Sequence, residues 1–216
     1  MNGAFDIQRA AMVAEQLRGR GITDARLLAA MAKVPRHAFV PPAWRDRAYG
    51  DRPLPIGQHQ TISQPFVVAL MLEALNLSGP ERVLDVGTGS GYAAAVLAEL
   101  AAEVVTVERR PGLAAEARRV LVSLGYDRVE VVVGDGSLGH AARAPYDAIV
   151  VAAAAPEVPR PLIDQLTPDG RLVLPVGSRE WQSLCCVTRG ADGRPCERSL
   201  GEVRFVPLLG ACAWAG

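Results

Sequence analysis

A glycine-rich segment between two apolar stretches restricts the folds open to this chain. Residues 83–91 read Val-Leu-Asp-Val-Gly-Thr-Gly-Ser-Gly. The apolar residues of 82–86 predict a short buried strand, and the alanine-rich stretch 92–100 predicts a helix. The glycines between them let the backbone turn sharply and approach a ligand without a Cβ in the way. The order strand, glycine loop, helix predicts the nucleotide-binding corner of a doubly wound α/β sheet.

The same segment distinguishes between two classes of cofactor. A dinucleotide fingerprint would require glycine at position 92, where this chain has Tyr92. It would also place a pyrophosphate over the helix N-terminus, close to the negative charge of Asp85. S-adenosylmethionine carries no phosphate, and Asp85 attracts its sulfonium and ammonium groups. We therefore expect S-adenosylmethionine as the cofactor, rather than NAD.

Two further acidic residues end the next predicted strands. Glu108 follows the apolar stretch 104–107, in the position of the acid that binds ribose hydroxyls about twenty residues beyond the loop. Asp135 follows the stretch 131–134. The alternative is that both residues only cap the elements that follow them. The predicted cofactor-binding residues are Asp85, Gly87, Thr88, Gly89, Ser90, Gly91, Glu108, Asp135 and Gly136.

Length and charge bound the class of protein. The 216 residues are enough for one α/β domain with a sizeable core. Lys and Arg number 23 and so do Asp and Glu, and the absence of net charge argues against nucleic-acid or anionic membrane partners. No apolar run could span a bilayer, and no signal-peptide pattern is present. We expect a cytoplasmic monomer.

The cysteines and histidines show no spacing typical of a metal site, and we expect no metal. The cysteines form no C-x-x-C pair and are interpreted as small apolar side chains in a reducing compartment. They are Cys185, Cys186, Cys196 and Cys212, and the histidines are His37, His59 and His140.

The rest of the pattern predicts one domain, 1–216, in which a helical and loop extension, 1–78, precedes a cofactor-binding core, 79–216. Asp6 and Thr23 are expected to cap the first two helices, and Ser63 is a candidate cap for a third. Beyond the glycine loop we predict helices over 111–124 and 159–166 and strands over 104–107, 129–133, 146–151, 171–176, 182–188 and 200–207, the last two joined by a turn at 191–193. With 82–86 this makes a mostly parallel seven-stranded sheet that ends in an antiparallel strand pair.

Motifs along nearly the whole chain match one enzyme family. They are Arg20-Gly21-Ile22, Val34-Pro35-Arg36, Phe39-Val40-Pro41, Pro53-Leu54-Pro55-Ile56-Gly57, Gln60-Thr61-Ile62-Ser63-Gln64-Pro65, Gly87-Thr88-Gly89-Ser90-Gly91-Tyr92, Gly134-Asp135-Gly136, Pro175-Val176-Gly177 and Phe205-Val206-Pro207-Leu208. In these segments the chain resembles the protein-L-isoaspartate O-methyltransferases, and Thr-Ile-Ser-Gln-Pro is the part specific to that family. The chain departs from the family at His59, where glycine is usual.

The resemblance implies a class I, Rossmann-like methyltransferase fold that uses S-adenosylmethionine. It implies a repair activity, the methylation of the free carboxylate of L-isoaspartyl residues in damaged proteins and peptides. It also implies that Ser63 is an active-site residue rather than a helix cap. A carboxylate with a pKa near 4 is already ionised at neutral pH, so the nucleophile requires no general base. The hydroxyl of Ser63 or Thr61 could orient that carboxylate by a hydrogen bond.

Other classes of protein remain open at this point. A carboxyl O-methyltransferase acting on another peptide or on a small molecule would keep the cofactor residues and differ over 36–64. A non-catalytic binding protein on the same fold would be expected to lack Ser63, Asp85 or Glu108, and this chain has all three. An NAD-dependent oxidoreductase is disfavoured by Tyr92 and Asp85.

Overall fold

The computed structural model describes residues 2–189 and 195–215. A short antiparallel hairpin, β1 (Leu54–Gly57) and β2 (Gln60–Ile62), precedes the main sheet. The strands of the main sheet are β3 (Arg82–Val86), β4 (Glu103–Glu108), β5 (Glu130–Val133), β6 (Tyr146–Val151), β7 (Leu166–Gly177), β8 (Gln182–Arg189) and β9 (Pro195–Val203). The α-helices are α1 (Asn2–Ala11), α2 (Ala25–Lys33), α3 (Pro65–Leu75), α4 (Tyr92–Ala98), α5 (Pro111–Ser123) and α6 (Arg160–Asp164).

The main sheet has the order β5-β4-β3-β6-β7-β8-β9. Strands β3 to β7 pair in parallel, and β8 and β9 join antiparallel. This arrangement confirms the prediction of a mostly parallel seven-stranded sheet with a terminal antiparallel pair. The chain builds outward from β3 through β4 to β5, then returns to place β6 on the other side of β3. The strand order therefore reverses between β3 and β6, where doubly wound sheets bind ligands.

The core lies on both faces of the sheet. Successive side chains of a strand point to opposite faces, so Val83 packs on the face that carries the N-terminal helices and Leu84 packs on the other. Cys185 and Cys186 divide in the same way and are buried free thiols, whereas Cys196 is exposed, which does not fit its interpretation as a small apolar side chain. Helix α3 turns one face into this core, because Val68, Met71, Leu72 and Leu75 are all buried.

The predicted ends of the first two helices are wrong. Helix α1 begins at Asn2, so Asp6 lies inside it and pairs with Arg9 at 2.7 Å. Helix α2 is capped by Asp24, whose carboxylate accepts hydrogen bonds from two backbone N–H groups, and not by Thr23. The N–H of Thr23 instead donates to the carboxylate of Glu73, at 2.7 Å. Glu73 also accepts the N–H of Asp24 at 2.9 Å, so a side chain of α3 holds the two residues that precede α2.

A π-helical segment, Met12–Leu17, follows α1 and changes which residues face the core. Met12, Val13 and Leu17 are buried, whereas Ala10 and Ala14, which a period of 3.6 residues places on the same face as Val13 and Leu17, are exposed. A regular period of 3.6 residues cannot predict this pattern, because π-helical hydrogen bonding adds a residue to the turn.

The last strand also differs from its prediction. Strand β9 ends at Val203, whereas the sequence predicted 200–207. The chain beyond it leaves the sheet edge, because the N–H of Phe205 donates to the Gln182 side chain and Val206 accepts from the N–H of Ala154. The predicted turn at 191–193 lies outside the described residues. Strands β1 and β2 were not predicted, since Pro55 and Gly57 disfavour a strand.

Candidate active site

A cavity opens at the carboxyl ends of β3, β4 and β6, at the reversal of strand order. The glycine loop forms its floor, and β2, α3 and residues 206–209 form the opposite walls. Of the predicted site residues it is lined by Thr61, Ser63, Asp85, Gly87, Thr88, Gly89, Ser90, Glu108 and Gly136. Two predicted residues, Gly91 and Asp135, do not line it. Within the described residues, no cluster of His, Cys, Asp and Glu is arranged to hold a metal ion.

The glycine loop takes a conformation that side chains disfavour. Gly87, Gly89 and Gly91 have φ angles of 95°, 53° and 90°, in the left-handed region. A Cβ on Gly89 would lie 3.3 Å from Cδ1 of Ile56, a residue of β1. A Cβ on Gly91 would instead lie 3.3 Å from side-chain carbons of α5. Gly91 thus permits the packing of α4 against α5, while the other two glycines leave space for a ligand.

Three buried side chains form a hydrogen-bond chain beneath the loop. The Thr106 hydroxyl donates to Oδ2 of Asp85 at 2.8 Å, and the hydroxyls of Thr88 and Thr106 lie 2.6 Å apart. Because the Thr106 hydroxyl donates its proton to the hydrogen bond with Asp85, its oxygen accepts from the Thr88 hydroxyl. The hydrogen bonds therefore run from Thr88 to Thr106 to Asp85. Thr106 was not among the predicted site residues. Its signal was a polar side chain in the middle of the apolar strand Val104–Val107.

Asp85 carries an unsatisfied buried oxygen next to the cavity. Its side chain is fully buried, and its Oδ1 has no hydrogen-bond partner among the described residues. Burial raises the pKa of Asp85 from 3.8 to about 6, the nearby charge of Glu108 adds to this, and the hydrogen bond from Thr106 opposes it. A carboxylate that is desolvated without a partner is stabilised by a cation. The orphan oxygen therefore suits a positively charged ligand in the cavity.

Glu108 ends β4 and lies across the loop from Asp85. Its Oε2 accepts the N–H of Gly89 at 2.9 Å, and its Oε1 accepts the N–H of Arg110 at 3.0 Å. The carboxylate thereby fixes the loop. Each oxygen retains a second lone pair, which can accept from ligand hydroxyls on the cavity side.

Asp135 holds the C-terminal segment in place. Its Oδ1 accepts from the N–H and hydroxyl of Ser137, and its Oδ2 accepts from the N–H of Ala211 at 2.7 Å. Although partial burial opposes it, these bonds lower the pKa of Asp135. The neighbouring Gly136 does line the cavity, and a Cβ there would lie 2.4 Å from Val86. A cofactor-binding role for Asp135 stays a prediction.

Ser63 precedes α3 without capping it. The helix has no side-chain cap at Gln64, and Oδ1 of Asp51 accepts the N–H of Phe66 at 3.2 Å. The Ser63 hydroxyl makes no hydrogen bond within the described part of the chain, which leaves it available to a ligand in the cavity. The interpretation of Ser63 as a helix cap is therefore wrong.

A buried arginine that the sequence analysis did not single out fixes the backbone of Ser63. Nη2 of Arg36 donates to the Ser63 carbonyl at 2.8 Å, and its Nε donates to the carbonyl of Ala48 at 2.7 Å. The guanidinium lies 5.0 Å from the centroid of the Tyr92 ring. Complete burial lowers the pKa of Arg36 to about 10, so the group stays charged at neutral pH. Arg36 thus joins the chain at Ala48, the residues that precede α3, and the start of α4.

An open groove adjoins the cavity on the side away from the glycine loop. Its wall is mostly apolar, with charged groups at the rim, and consists of Pro53, Thr61, Ser63, Gln64, Val67, Ala152, Glu180, Trp181, Glu202, Val203, Arg204, Phe205 and Val206. Thr61 and Ser63 line both the groove and the enclosed cavity. The two hydroxyls therefore stand where a ligand in the cavity would meet a ligand in the groove.

The sheet order, the glycine loop and the acid at the end of β4 define the class I methyltransferase fold. The family model for protein-L-isoaspartate(D-aspartate) O-methyltransferase (PCMT) matches residues 8–213, and the chain belongs to this family. The protein-L-isoaspartate O-methyltransferase of Methanoculleus marisnigri is 57% identical over 209 residues, which cover 97% of this chain and 94% of the relative.

Solved structures of the same family share the fold. One protein-L-isoaspartate O-methyltransferase superposes with a TM-score of 0.85 at 29% identity, covering 95% of this chain and 67% of the solved one. The beta-aspartate methyltransferase (PCMT) of Plasmodium falciparum, solved in complex with S-adenosyl-L-homocysteine, superposes with a TM-score of 0.80 at 26% identity. That likeness covers 93% of this chain and 98% of the other.

Proposed function

We propose that this protein transfers the methyl group of S-adenosyl-L-methionine to the free carboxylate of L-isoaspartyl residues, as a step in the repair of damaged proteins. Family membership supports the reaction and its cofactor. The observation that carries the proposal is the position of Thr61 and Ser63, which line both the enclosed cavity and the open groove. Methyl transfer requires the donor and the acceptor to meet at one point, and these hydroxyls stand at it.

The enclosed cavity suits the cofactor. Asp85 offers an unpartnered buried carboxylate oxygen to its positive charges, and Glu108 offers lone pairs to its ribose hydroxyls. The backbone of the loop, with Thr88 and Ser90, forms the surface beneath it. Gly136 lines the cavity just beyond β5, and the absence of a side chain there leaves room for Val86 of β3.

The groove suits a peptide. It is open to solvent and lined by apolar side chains with polar and charged groups at its rim, which a segment of a damaged protein can contact. The isoaspartyl carboxylate would be oriented by the hydroxyls of Ser63 and Thr61, and Arg36 would hold the Ser63 backbone in place.

The chemistry assigned to the protein is alignment and exclusion of water. S-adenosylmethionine supplies an electrophilic methyl group, and the acceptor carboxylate is already ionised at neutral pH. Alignment of two reactants can lower a barrier by roughly 7–11 kcal/mol. Apolar side chains of α3, including Val68, Met71 and Leu72, line the cavity beside Ser63 and keep water from it.

We further propose that the chain is one domain acting as a monomer in the cytoplasm. Buried residues of the N-terminal helices belong to the same core cluster as one face of the main sheet, among them Met12, Leu27 and Val83. An extension that shares its core with the sheet would not be expected to fold apart from it. In the described part of the chain, each helix falls short of the length and hydropathy that crossing a membrane demands.

Labelled methyl transfer to paired peptides tests the function. The peptides share one sequence and differ only in carrying L-isoaspartate or ordinary L-aspartate, whose main chains differ by one methylene. We expect saturable methylation of the isoaspartyl peptide and little of the aspartyl one. Equal rates on both peptides would favour a broader carboxyl methyltransferase, and transfer to neither would contradict the proposal.

A further inference from the structure

Trp181 is a large apolar side chain held in solvent at the rim of the groove. It is 72% exposed and lines the same groove as Ser63 and Thr61. It does not line the enclosed cavity, so cofactor binding does not explain it. Exposed aromatic side chains beside a cleft are typical of binding surfaces, where tryptophan is enriched among the residues that contribute most.

The backbone beneath this ring is fixed from two sides. Oγ of Ser178 accepts hydrogen bonds from the N–H of Trp181 at 3.0 Å and of Glu180 at 3.2 Å. Nε2 of the buried Gln182 donates to the Ser178 carbonyl at 3.1 Å, while its Oε1 accepts the N–H of Phe205 at 2.7 Å. The ring is thus exposed on a rigid support. Such a side chain loses little conformational entropy when a ligand packs on it.

The rim of the groove also carries charge. Glu180, Glu202 and Arg204 line it, all three are exposed, and none forms a salt bridge with another described residue. Two carboxylates against one guanidinium leave the rim with an excess of negative charge. A cation is attracted both by these carboxylates and by the face of an indole ring.

We propose that Trp181, together with Glu180 and Glu202, binds a cationic side chain next to the isoaspartyl residue in the substrate. An arginine or lysine fits, because its apolar stem can pack on the ring while its charge meets the carboxylates. This chain would then select isoaspartyl sites in basic sequence surroundings. The inference rests on the proposed function, because it assigns the groove to the substrate of that reaction.

Peptides that differ at one position test the selection. Each has one isoaspartyl residue in a glycine–alanine host, with arginine, alanine or glutamate either directly before or directly after it. We expect the arginine peptide to exceed the alanine peptide by about threefold to tenfold in kcat/KM, mainly through KM, at one of the two positions. The glutamate peptide should be the poorest. The preference should weaken in high salt, because the rim charges are exposed.

Substitutions in the groove test which residues produce the preference for arginine. Trp181→Ala and Glu202→Gln should each reduce the ratio of kcat/KM between the arginine and alanine peptides, while S-adenosylmethionine affinity and the melting temperature stay unchanged. Trp181→Phe should retain part of it, because phenylalanine also offers an aromatic face. Ile7→Ala is the matched control, since Ile7 is 73% exposed and lines neither the groove nor the cavity.

The outcomes separate the two proposals. If the wild-type protein methylates all isoaspartyl peptides equally well, or Trp181→Ala keeps the arginine preference, the inference is wrong and the proposed function stands. If the wild-type protein methylates no isoaspartyl peptide, both are wrong.

Discussion

The hydroxyl of Thr106 donates a 2.8 Å hydrogen bond to the carboxylate of Asp85, and both side chains are buried in the main sheet. The other carboxylate oxygen is left without a partner among the described residues. One oxygen of the carboxylate is therefore hydrogen-bonded by the protein, and the other is open to a ligand. Burial of this carboxylate destabilises the folded protein, but the cofactor cavity requires its negative charge.

Replacing Asp85 by asparagine should separate cofactor binding from stability. The pKa of Asp85 is raised from 3.8 to about 6, so at neutral pH the free protein keeps a carboxylate that burial disfavours. Asp85→Asn should raise the free energy of unfolding of the cofactor-free protein at pH 7 by on the order of 1–3 kcal/mol. It should also weaken S-adenosylmethionine binding severely, because the cation loses its counter-charge. Chemical denaturation and calorimetry on one preparation measure both effects.

The sign of the pH dependence follows from the same raised pKa. In the cofactor-free protein, the contribution of Asp85 to stability is complete below about pH 4 and is lost as the pH rises through about 6. Cofactor affinity runs the opposite way, because a bound cation favours the ionised carboxylate. Affinity should fall as the pH drops below about 6 in the wild-type protein and stay flat in Asp85→Asn. A wild-type affinity that is constant from pH 5 to 7 would contradict this.

Replacing Thr106 by valine should shift the pH dependence of S-adenosylmethionine affinity. Valine has nearly the shape of threonine but cannot donate to Asp85, whose pKa should rise further because the hydrogen bond lowers it. The affinity for S-adenosylmethionine should then begin to fall at a higher pH than in the wild-type protein. Thr88 also loses its hydroxyl partner. An unshifted profile, measured by calorimetry between pH 5 and 8, would exclude a positioning role for Thr106.

The sequence predicted β3, the glycine loop and α4 well because these elements depend on neighbouring residues. The apolar run of β3, the glycines and the alanines of α4 each favour the local structure that is observed. Strand β6 was predicted at its observed bounds, Tyr146–Val151, for the same reason.

The misses depend on contacts between distant residues. Local pattern favoured Ser63 as a cap, but the N–H of Phe66 is bound by Asp51, whose other oxygen accepts from Gln64 at 2.7 Å. Strand β9 ends early because Gln182, in the neighbouring strand, draws Phe205 out of the sheet. No window of adjacent residues contains either partner. Thr106 and Arg36 were missed likewise, since their roles appear only when the strands and loops are brought together.

Replacing Gly89 by valine should abolish cofactor binding. The φ of Gly89 is 53°, the residue lines the cavity, and a Cβ there would lie 3.3 Å from Cδ1 of Ile56. Gly21→Val controls for backbone strain, because Gly21 also has a positive φ, of 99°, but a Cβ there would have no described atom within 4 Å beyond its chain neighbours. Calorimetry should show binding in the control and none in Gly89→Val. Equal affinity in both variants would mean that the loop does not bind the cofactor.

Replacing His59 by glycine should stabilise the hairpin. Gln58 and His59 join β1 to β2 with φ angles of 49° and 58°, as in a type I′ turn, where glycine is preferred. Relief of the left-handed strain should outweigh the added freedom of the unfolded chain and raise the free energy of unfolding by about 0.5–1 kcal/mol. Gln60→Gly, within β2, should instead destabilise. Because His59 lines neither the cavity nor the groove, cofactor affinity should not change.

Replacing Ser63 by alanine should slow turnover without weakening cofactor binding. The hydroxyl lines the meeting point of cavity and groove, and within the described residues it has no protein partner to lose. Loss of one hydrogen bond to a charged acceptor costs about 1.5–3 kcal/mol, or roughly tenfold to a hundred-and-fifty-fold in rate. Single-turnover methylation of an isoaspartyl peptide, with calorimetry of S-adenosylmethionine binding, measures the two quantities separately.

Thermal melting of the same Ser63→Ala protein distinguishes catalysis from structure. A lost helix cap would cost on the order of 1 kcal/mol of stability and leave the rate of the folded enzyme intact. Since the N–H groups at the start of α3 do not use this hydroxyl, we expect an unchanged melting temperature. Ser123→Ala is the control, because Ser123 lies in α5 and lines neither the cavity nor the groove, and it should leave the rate unchanged. A lower melting temperature with a normal rate would remove Ser63 from the reaction and leave Thr61 as the hydroxyl that orients the carboxylate.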